Sequence, residues 1–156
     1  MSELVASSDL SKRRLKLWIR LLRTTRLAEA ELREFLRVEH HSTLPRFDVM
    51  AALHRADGEL TMSELSRMLL VSNGNTTTVV DRLEADGLVR RSSPANDRRV
   101  VQVSLTAAGR RQFERQATEH EARVDALFSG VSADDLDALE HLLRRINPST
   151  TKATIS

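Results

Sequence analysis

The chain has 156 residues, enough for one domain with a buried core. Its formal net charge is only +2 although its isoelectric point is about 9.6, because no Cys or Tyr titrates between neutrality and the lysines, so its basic character is local. The absence of cysteine excludes a disulfide scaffold, a thiolate zinc site and thiol-based sensing. With neither an apolar run of membrane-spanning length nor a signal-like N-terminus, a soluble cytoplasmic protein is expected.

In chain order, residues 1–10 are short and polar and read as a loose arm. Ser11 can cap a long helix running to about residue 42, in which Leu15, Trp18, Leu21, Leu22, Leu32, Phe35 and Leu36 recur at steps of three and four. The same helix carries many arginines and lysines, including Arg20, Arg23, Arg33 and Arg37. Most read as a solvated face with intrahelical pairs; some suit an acidic partner helix or an anionic ligand. A second helix, TLPRFDVMAALHRA, has Pro45 in its first turn, a buried side of Phe47, Met50, Ala51 and Leu53, and a stop at Asp57-Gly58.

The stretch from Glu59 to Gly109 is the most informative. Thr61 and Glu64 form a capping-box pattern, opening a short helix with Leu65, Met68 and Leu69 inward. Ser72 or Asn73 can cap a second helix that runs to Asp86 and stops at Gly87, which together make a helix-turn-helix signal. That second helix opens with Asn73, Gly74, Asn75, Thr76, Thr77 and Thr78, and only Val79, Val80 and Leu83 are clear core residues. Asn and Thr side chains suit base edges in a major groove, whereas the bland reading is a solvated Thr-rich cap. Two strand-like runs follow, Leu88 to Arg91 and Val100 to Leu105, joined by a turn over Ser92 to Asp97. Arg90, Arg91, Arg98 and Arg99 sit at its base and tip, as on a winged helix whose arm tracks the DNA backbone, and Asp97 is placed to orient the Arg99 guanidinium.

Asp97, Arg99, Val103, Leu105, Thr106 and Gly109 fall on D-x-R-x-x-x-V-x-L-T-x-x-G. With DRLEADGLVRR before them, the chain from about Leu15 to Ile146 closely resembles the MarR family of bacterial transcription regulators. The resemblance implies a helix from Asn73 in the major groove, Arg99 in the minor groove and a two-fold dimer. One departure is Thr76, where relatives usually carry an apolar residue, which leaves core and contact roles open. The expected fold is therefore mainly α with a small β-wing: a winged helix-turn-helix over residues 43–106 flanked by dimerisation helices at 11–42 and 107–147.

Those last helices begin at Thr106, with Phe113, Ala117, His120, Val124, Leu127 and Phe128 in a four-three rhythm, and at Ser132 and Asp135, with Leu136, Leu139, Leu142, Leu143 and Ile146. Residues 148–156 read as a flexible tail. Terminal apolar stripes of this length call for a second copy of the chain.

On double-stranded operator DNA, Asn75, Thr77 and Thr78 are the candidate base-contacting residues, with Asn73 beside them as a further DNA-binding candidate. Arg82, Arg90, Arg91 and Arg98 are the phosphate contacts, and Arg99 is the minor-groove probe. The resemblance also implies an effector pocket between the dimerising helices and the reader, often taking an aromatic acid. Trp18, Leu22, Phe47, Met50 and Phe113 are its candidate walls, with Arg20, Arg23 and His54 as polar contacts, although the apolar five are more simply core. The segments LWIRLLR, TLPRFD and MLLVSNGN resemble members that sense aromatic catabolites or their coenzyme A thioesters. No His, Asp or Glu spacing supports a metal, His120 reads as a packed, hydrogen-bonded interface residue, and no catalytic constellation or cofactor motif is present, so no enzyme is expected. The expected function is a ligand-responsive repressor. The alternatives are a winged-helix module that binds protein and a DNA binder without a ligand.

Overall fold

The computed structural model describes residues 2–69 and 76–146. The first helix, α1, spans Ser2–His40 and so starts nine residues before the expected Ser11 cap. Residues 2–10, expected as a loose arm, continue the helix because they contain neither Pro nor Gly to stop it. At its far end His41 adopts a left-handed conformation (φ 46°), and the Ser42 N–H donates back to the Leu36 carbonyl at 3.0 Å, which turns the chain sharply.

Helix α2 (Leu44–Ala56) starts where the Thr43 hydroxyl accepts from the Arg46 N–H, with Pro45 in the first turn. It ends at Asp57, which itself takes the left-handed position expected of the Asp57-Gly58 pair. Val49 and Ala52 are buried alongside Phe47, Met50 and Leu53, so α2 is covered nearly all round and not only on the expected side. Its central position explains this: α2 packs against every other described helix but α6, and against the sheet.

After β1 (Leu60–Thr61), α3 (Met62–Met68) opens with the full capping box. The Thr61 N–H donates to Glu64 at 2.8 Å, and the Glu64 N–H donates to Thr61 Oγ1 at 3.2 Å. Residues 70–75 lie outside the described part, and with them the expected cap at Ser72 or Asn73. The next helix, α4, covers Thr76–Ala85 and buries Val80 and Leu83. Gly87 then adopts φ 71°, as its place after a helix demands.

Strands β2 (Val89–Ser92) and β3 (Gln102–Leu105) pair antiparallel, with Val89 opposite Leu105 and Arg91 opposite Val103. Strand β1 adds to the free edge of β3, giving the order β1-β3-β2. This third strand was not expected: two residues are too few to show an alternation.

Helix α5 (Ala107–Leu127) is capped by Thr106, and α6 (Ala133–Ile146) opens with reciprocal bonds between Ser132 and Asp135. Phe35 on α1 and Phe113 on α5 join the core, but α6 buries none of its residues. Leu136, Leu139, Leu142, Leu143 and Ile146 are exposed, as are Leu15, Leu17, Trp18, Ile19 and Leu27 of α1. No helix among the described residues is long and apolar enough to cross a membrane.

The start of α5 presses on the turn that ends α4. A Cβ on Gly109 would lie 1.9 Å from the Leu88 carbonyl oxygen, so only glycine allows this approach. Gly109→Ala is expected to lower unfolding free energy in urea by about 2 kcal/mol or more, because backbone must move. Gly130→Ala, with open space around the new methyl, is expected to stay within about 0.5 kcal/mol.

Candidate nucleic-acid interface

The exposed face of α4 is set by which of its residues the core takes. Val80 and Leu83 point inward, while Thr77, Thr78 and Arg82 are exposed, Thr78 and Arg82 being one turn apart. Thr76 is half-buried, between the two roles its sequence position left open. Asn73 and Asn75 lie outside the described residues.

Two arginines hold α4 at a fixed angle. Arg91 on β2 reaches Asp81 at 2.6 Å and Glu84 at 2.7 Å, and its backbone N–H donates to Glu84 at 3.0 Å. Burial works against the Arg91 charge, but the bonds to Glu84 and Asp81 outweigh it and hold the guanidinium above its ordinary pKa. Arg91, a candidate phosphate contact, is engaged here by two carboxylates on α4 as a brace between wing and helix. From the other side, Arg46 of α2 pairs with Asp86 at 2.6 Å, just past the end of α4.

The wing tip is shaped by its own backbone. Asp97 Oδ1 accepts from the Arg99 N–H at 2.9 Å, the Asp97 N–H donates to the Pro94 carbonyl at 3.2 Å, and the Val100 N–H donates to the Asp97 carbonyl at 3.3 Å. Asp97 was expected to orient the Arg99 guanidinium; it bonds the Arg99 backbone instead, because a carboxylate two residues upstream reaches the main chain first. Arg98 and Arg99 are exposed and, among the described residues, have no ion-pair partner. Arg90, also exposed, donates to Ser104 Oγ across the strands at 3.2 Å.

Of the eight candidate effector residues, Phe47, Met50, His54 and Phe113 gather between α2 and α5, while the four on α1 lie along that helix. Trp18 is 58% exposed on the outer part of α1, near Arg20 and Arg23, which are exposed, and Leu22, which is half-buried. Met50 and Phe113 are core residues, as the simpler reading had it. Phe47 stacks on His120 at 4.4 Å and meets Phe113 at 5.4 Å, and His54 meets Phe113 at 4.8 Å, so aromatic rings bridge α2 and α5. Beside that stack is a cavity of about 260 Å³ between α1, α2, α3 and α5, lined by Leu32, Phe47, Glu29, Asp48, Arg55 and His120 among others. Of the eight, only Phe47 lines it.

Asp48, Arg55 and Glu29 were not singled out from the sequence. The legible signal was a carboxylate inside the apolar run FDVMAAL. Burial, reinforced by Glu29, pushes Asp48 up to about 6, and its Oδ2 has no hydrogen-bond partner among the described residues. Burial lowers the His120 pKa. His120 packs as expected, but on a ring face. Among the described residues no three His, Cys, Asp or Glu side chains cluster as metal ligands would.

Comparison with known proteins places this geometry. A sequence model of the MarR family matches residues 42–100. The chain is 35% identical over 107 residues to YkoM, an uncharacterized HTH-type transcriptional regulator of Bacillus subtilis, covering 69% of each chain. It superposes with TM-score 0.74 and 28% identity on a mutant MarR from E. coli complexed with operator DNA, covering 87% of this chain and 96% of that one. A further match, TM-score 0.73 at 25% identity, covers 84% of this chain and 98% of BpsR from Bordetella bronchiseptica, whose DNA binding is regulated by 6-hydroxynicotinic acid.

The chain belongs to the MarR family. It is a DNA-binding transcriptional regulator, and its relatives are regulators, not enzymes. In this MarR-family protein α4 and the wing form one braced unit, and the aromatic cavity lies behind it.

The buried Asp48 carboxylate gives that cavity a pH signature. A folded-state pKa raised from 3.8 to about 6 means that folding favours the protonated acid. Its contribution is therefore most favourable below pH 4, is lost as pH rises to 6, and stays unfavourable above that. Asp48→Asn is expected to raise the melting temperature at pH 7.5 at fixed protein concentration, and the gain should vanish below about pH 4. Equal gains at both pH values in circular-dichroism melts would rule out the carboxylate as its source.

Proposed function

We propose that this MarR-family protein is a repressor that binds a palindromic operator as a homodimer and lets go when a small anionic effector binds. The observation that carries the operator reading is the exposed face of α4, with Thr77, Thr78 and Arg82, held beside a wing that ends in Arg98 and Arg99. On this reading Thr77 and Thr78, with Asn75, contact bases, Asn73 lies beside them, and Arg82, Arg90 and Arg98 sit on phosphates, while Arg91, also a candidate there, is paired with α4. Arg99, at the wing tip, enters the minor groove. Such a regulator works in the cytoplasm, where its operator is.

The homodimer reading rests on the uncovered leucines of α6 and the exposed apolar side chains of α1. Two copies related by a two-fold axis set their reading helices about 34 Å apart, for successive major grooves. The chain should run as a dimer in light scattering at micromolar concentration, and a monomer there refutes the palindrome as well.

Support for an effector comes from the cavity behind Phe47, whose volume of about 260 Å³ suits a single aromatic ring. Arg55 can pair with an aromatic acid there, and Asp48 in its protonated form can donate to it. A coenzyme A thioester would need to extend its nucleotide outside this cavity.

The experiment is fluorescence anisotropy on the DNA beside the protein's own gene, across a salt series and against a panel of aromatic acids and their coenzyme A thioesters. Specific binding in the nanomolar range, released by one compound, is the expected result. Arg99→Ala should weaken binding and lower the salt slope by about one unit. Arg91→Ala should leave that slope unchanged and lower folding stability by about 1–2 kcal/mol, since it braces and does not touch DNA. Tight binding that no compound disturbs would retain the reader and discard the effector.

A further inference from the structure

A second cavity, of about 440 Å³, opens where the C-terminal part of α1, the first turn of α2 and the exposed face of α4 meet. Its chemistry is the reverse of the cavity behind Phe47. Arg33 and Arg37, one helical turn apart on α1, face it together with Arg46 of α2, Arg82 and Thr78 of α4, and Ser42 of the turn between α1 and α2.

Two carboxylates approach these four arginines. Glu34 holds Arg37 through two bonds, at 2.6 and 2.8 Å, and Asp86 holds Arg46 at 2.6 Å. Arg33 and Arg82 have no ion-pair partner among the described residues, so the cavity keeps an excess of positive charge. The first turn of α2 adds the positive end of a helix dipole.

Two donors here are also left over. Ser42 is only 6% exposed, and its hydroxyl has no hydrogen-bond partner among the described residues. The Nε–H of Arg46 is likewise buried and unpaired, because Asp86 bonds Nη2 alone. Buried donors without acceptors are costly, and an oxygen acceptor entering this cavity would satisfy both. A guanidinium edge and a hydroxyl in a positively charged pocket match an oxygen-bearing anion and would repel a cation.

We propose that this cavity is an oxyanion-binding site, taking a carboxylate or phosphate group through Ser42, Arg46 and Arg33. The group has two possible sources: a free small-molecule anion, or a backbone phosphate of bound DNA reaching past Arg82. Binding of a free anion does not depend on the repressor reading; only the DNA source rests on it. Because α4 forms one wall, a free anion here sits against the reading helix itself, unlike a ligand in the cavity behind Phe47.

The test uses the full-length protein without DNA. Amide NMR shifts are followed on titration with inorganic phosphate and with benzoate, at constant ionic strength set by chloride. Saturable shifts centred on Ser42, Thr43 and Arg46 are expected, with at least five-fold weaker binding in Ser42→Ala and in Arg33→Gln. Arg111→Gln, an exposed arginine on α5 outside the cavity, should bind as the unaltered protein does. Melting curves establish that each variant folds. In parallel, Arg33→Gln is taken through the operator salt series.

Saturable anion binding that both cavity variants weaken, with an unchanged operator salt slope, assigns the site to a free anion. No anion binding, but a slope lower by about one unit, assigns it to a DNA phosphate. Shifts that do not saturate, or that Arg111→Gln alters as much as the cavity variants do, together with an unchanged slope, overturn the proposal. If the unaltered protein binds no operator, the repressor reading fails while the anion titration still decides the site.

Discussion

The contact on which the rest of the architecture depends is the approach of Gly109 to the carbonyl of Leu88. It is a backbone-on-backbone contact that tolerates no Cβ. Around it, the Thr106 hydroxyl is used twice, accepting from the Gly109 N–H at 3.0 Å and donating to the Gly87 carbonyl at 2.7 Å, while the Thr106 N–H donates to Leu88 at 3.0 Å. These few atoms join the end of α4, the start of β2, the end of β3 and the start of α5. Helix α4, the wing and the long helix α5 therefore share one rigid corner.

Electrostatics completes what this corner begins. Arg91 ties the wing to two carboxylates on α4, and Arg46 ties α2 to Asp86 at its end. Each pair is partly exposed, so its contribution to stability is modest, but together they fix the direction of α4 from two sides. Asp81, Glu84 and Asp86 are thereby all paired. Arg82, Arg98 and Arg99 stay exposed and unpaired among the described residues.

Helix α2 connects this unit to the rest of the chain. It touches α1, α3, α4, α5 and the sheet, and both cavities use its surface: the acidic one at Asp48 and the basic one at Arg46. A ligand at either place would act on the same element, and Leu44 lines both cavities. Tight packing makes such coupling discrete, since α2 has fully buried side chains on nearly every face.

What the sequence determined by itself was everything governed by local rules. The capping box at Thr61 and Glu64, the Pro45 start, the left-handed Gly87, the Thr106 cap and the periodic core residues are all decided within a few residues of chain. The wing motif was legible as a pattern, and the structure supplies the reason for two of its members, Thr106 and Gly109, in the corner they form. What only the tertiary structure decided were partnerships between distant residues. Arg91 pairs with Asp81 and Glu84 on α4, Asp97 serves the Arg99 backbone, and β1 pairs along the edge that β3 offers. Phe47, His54 and Phe113 meet across α2 and α5, whereas Trp18, Arg20, Leu22 and Arg23 follow a stripe along a helix 39 residues long. Asp48 and Ser42 became conspicuous only once burial left their oxygens without partners, a property of packing in three dimensions that no spacing in the chain records.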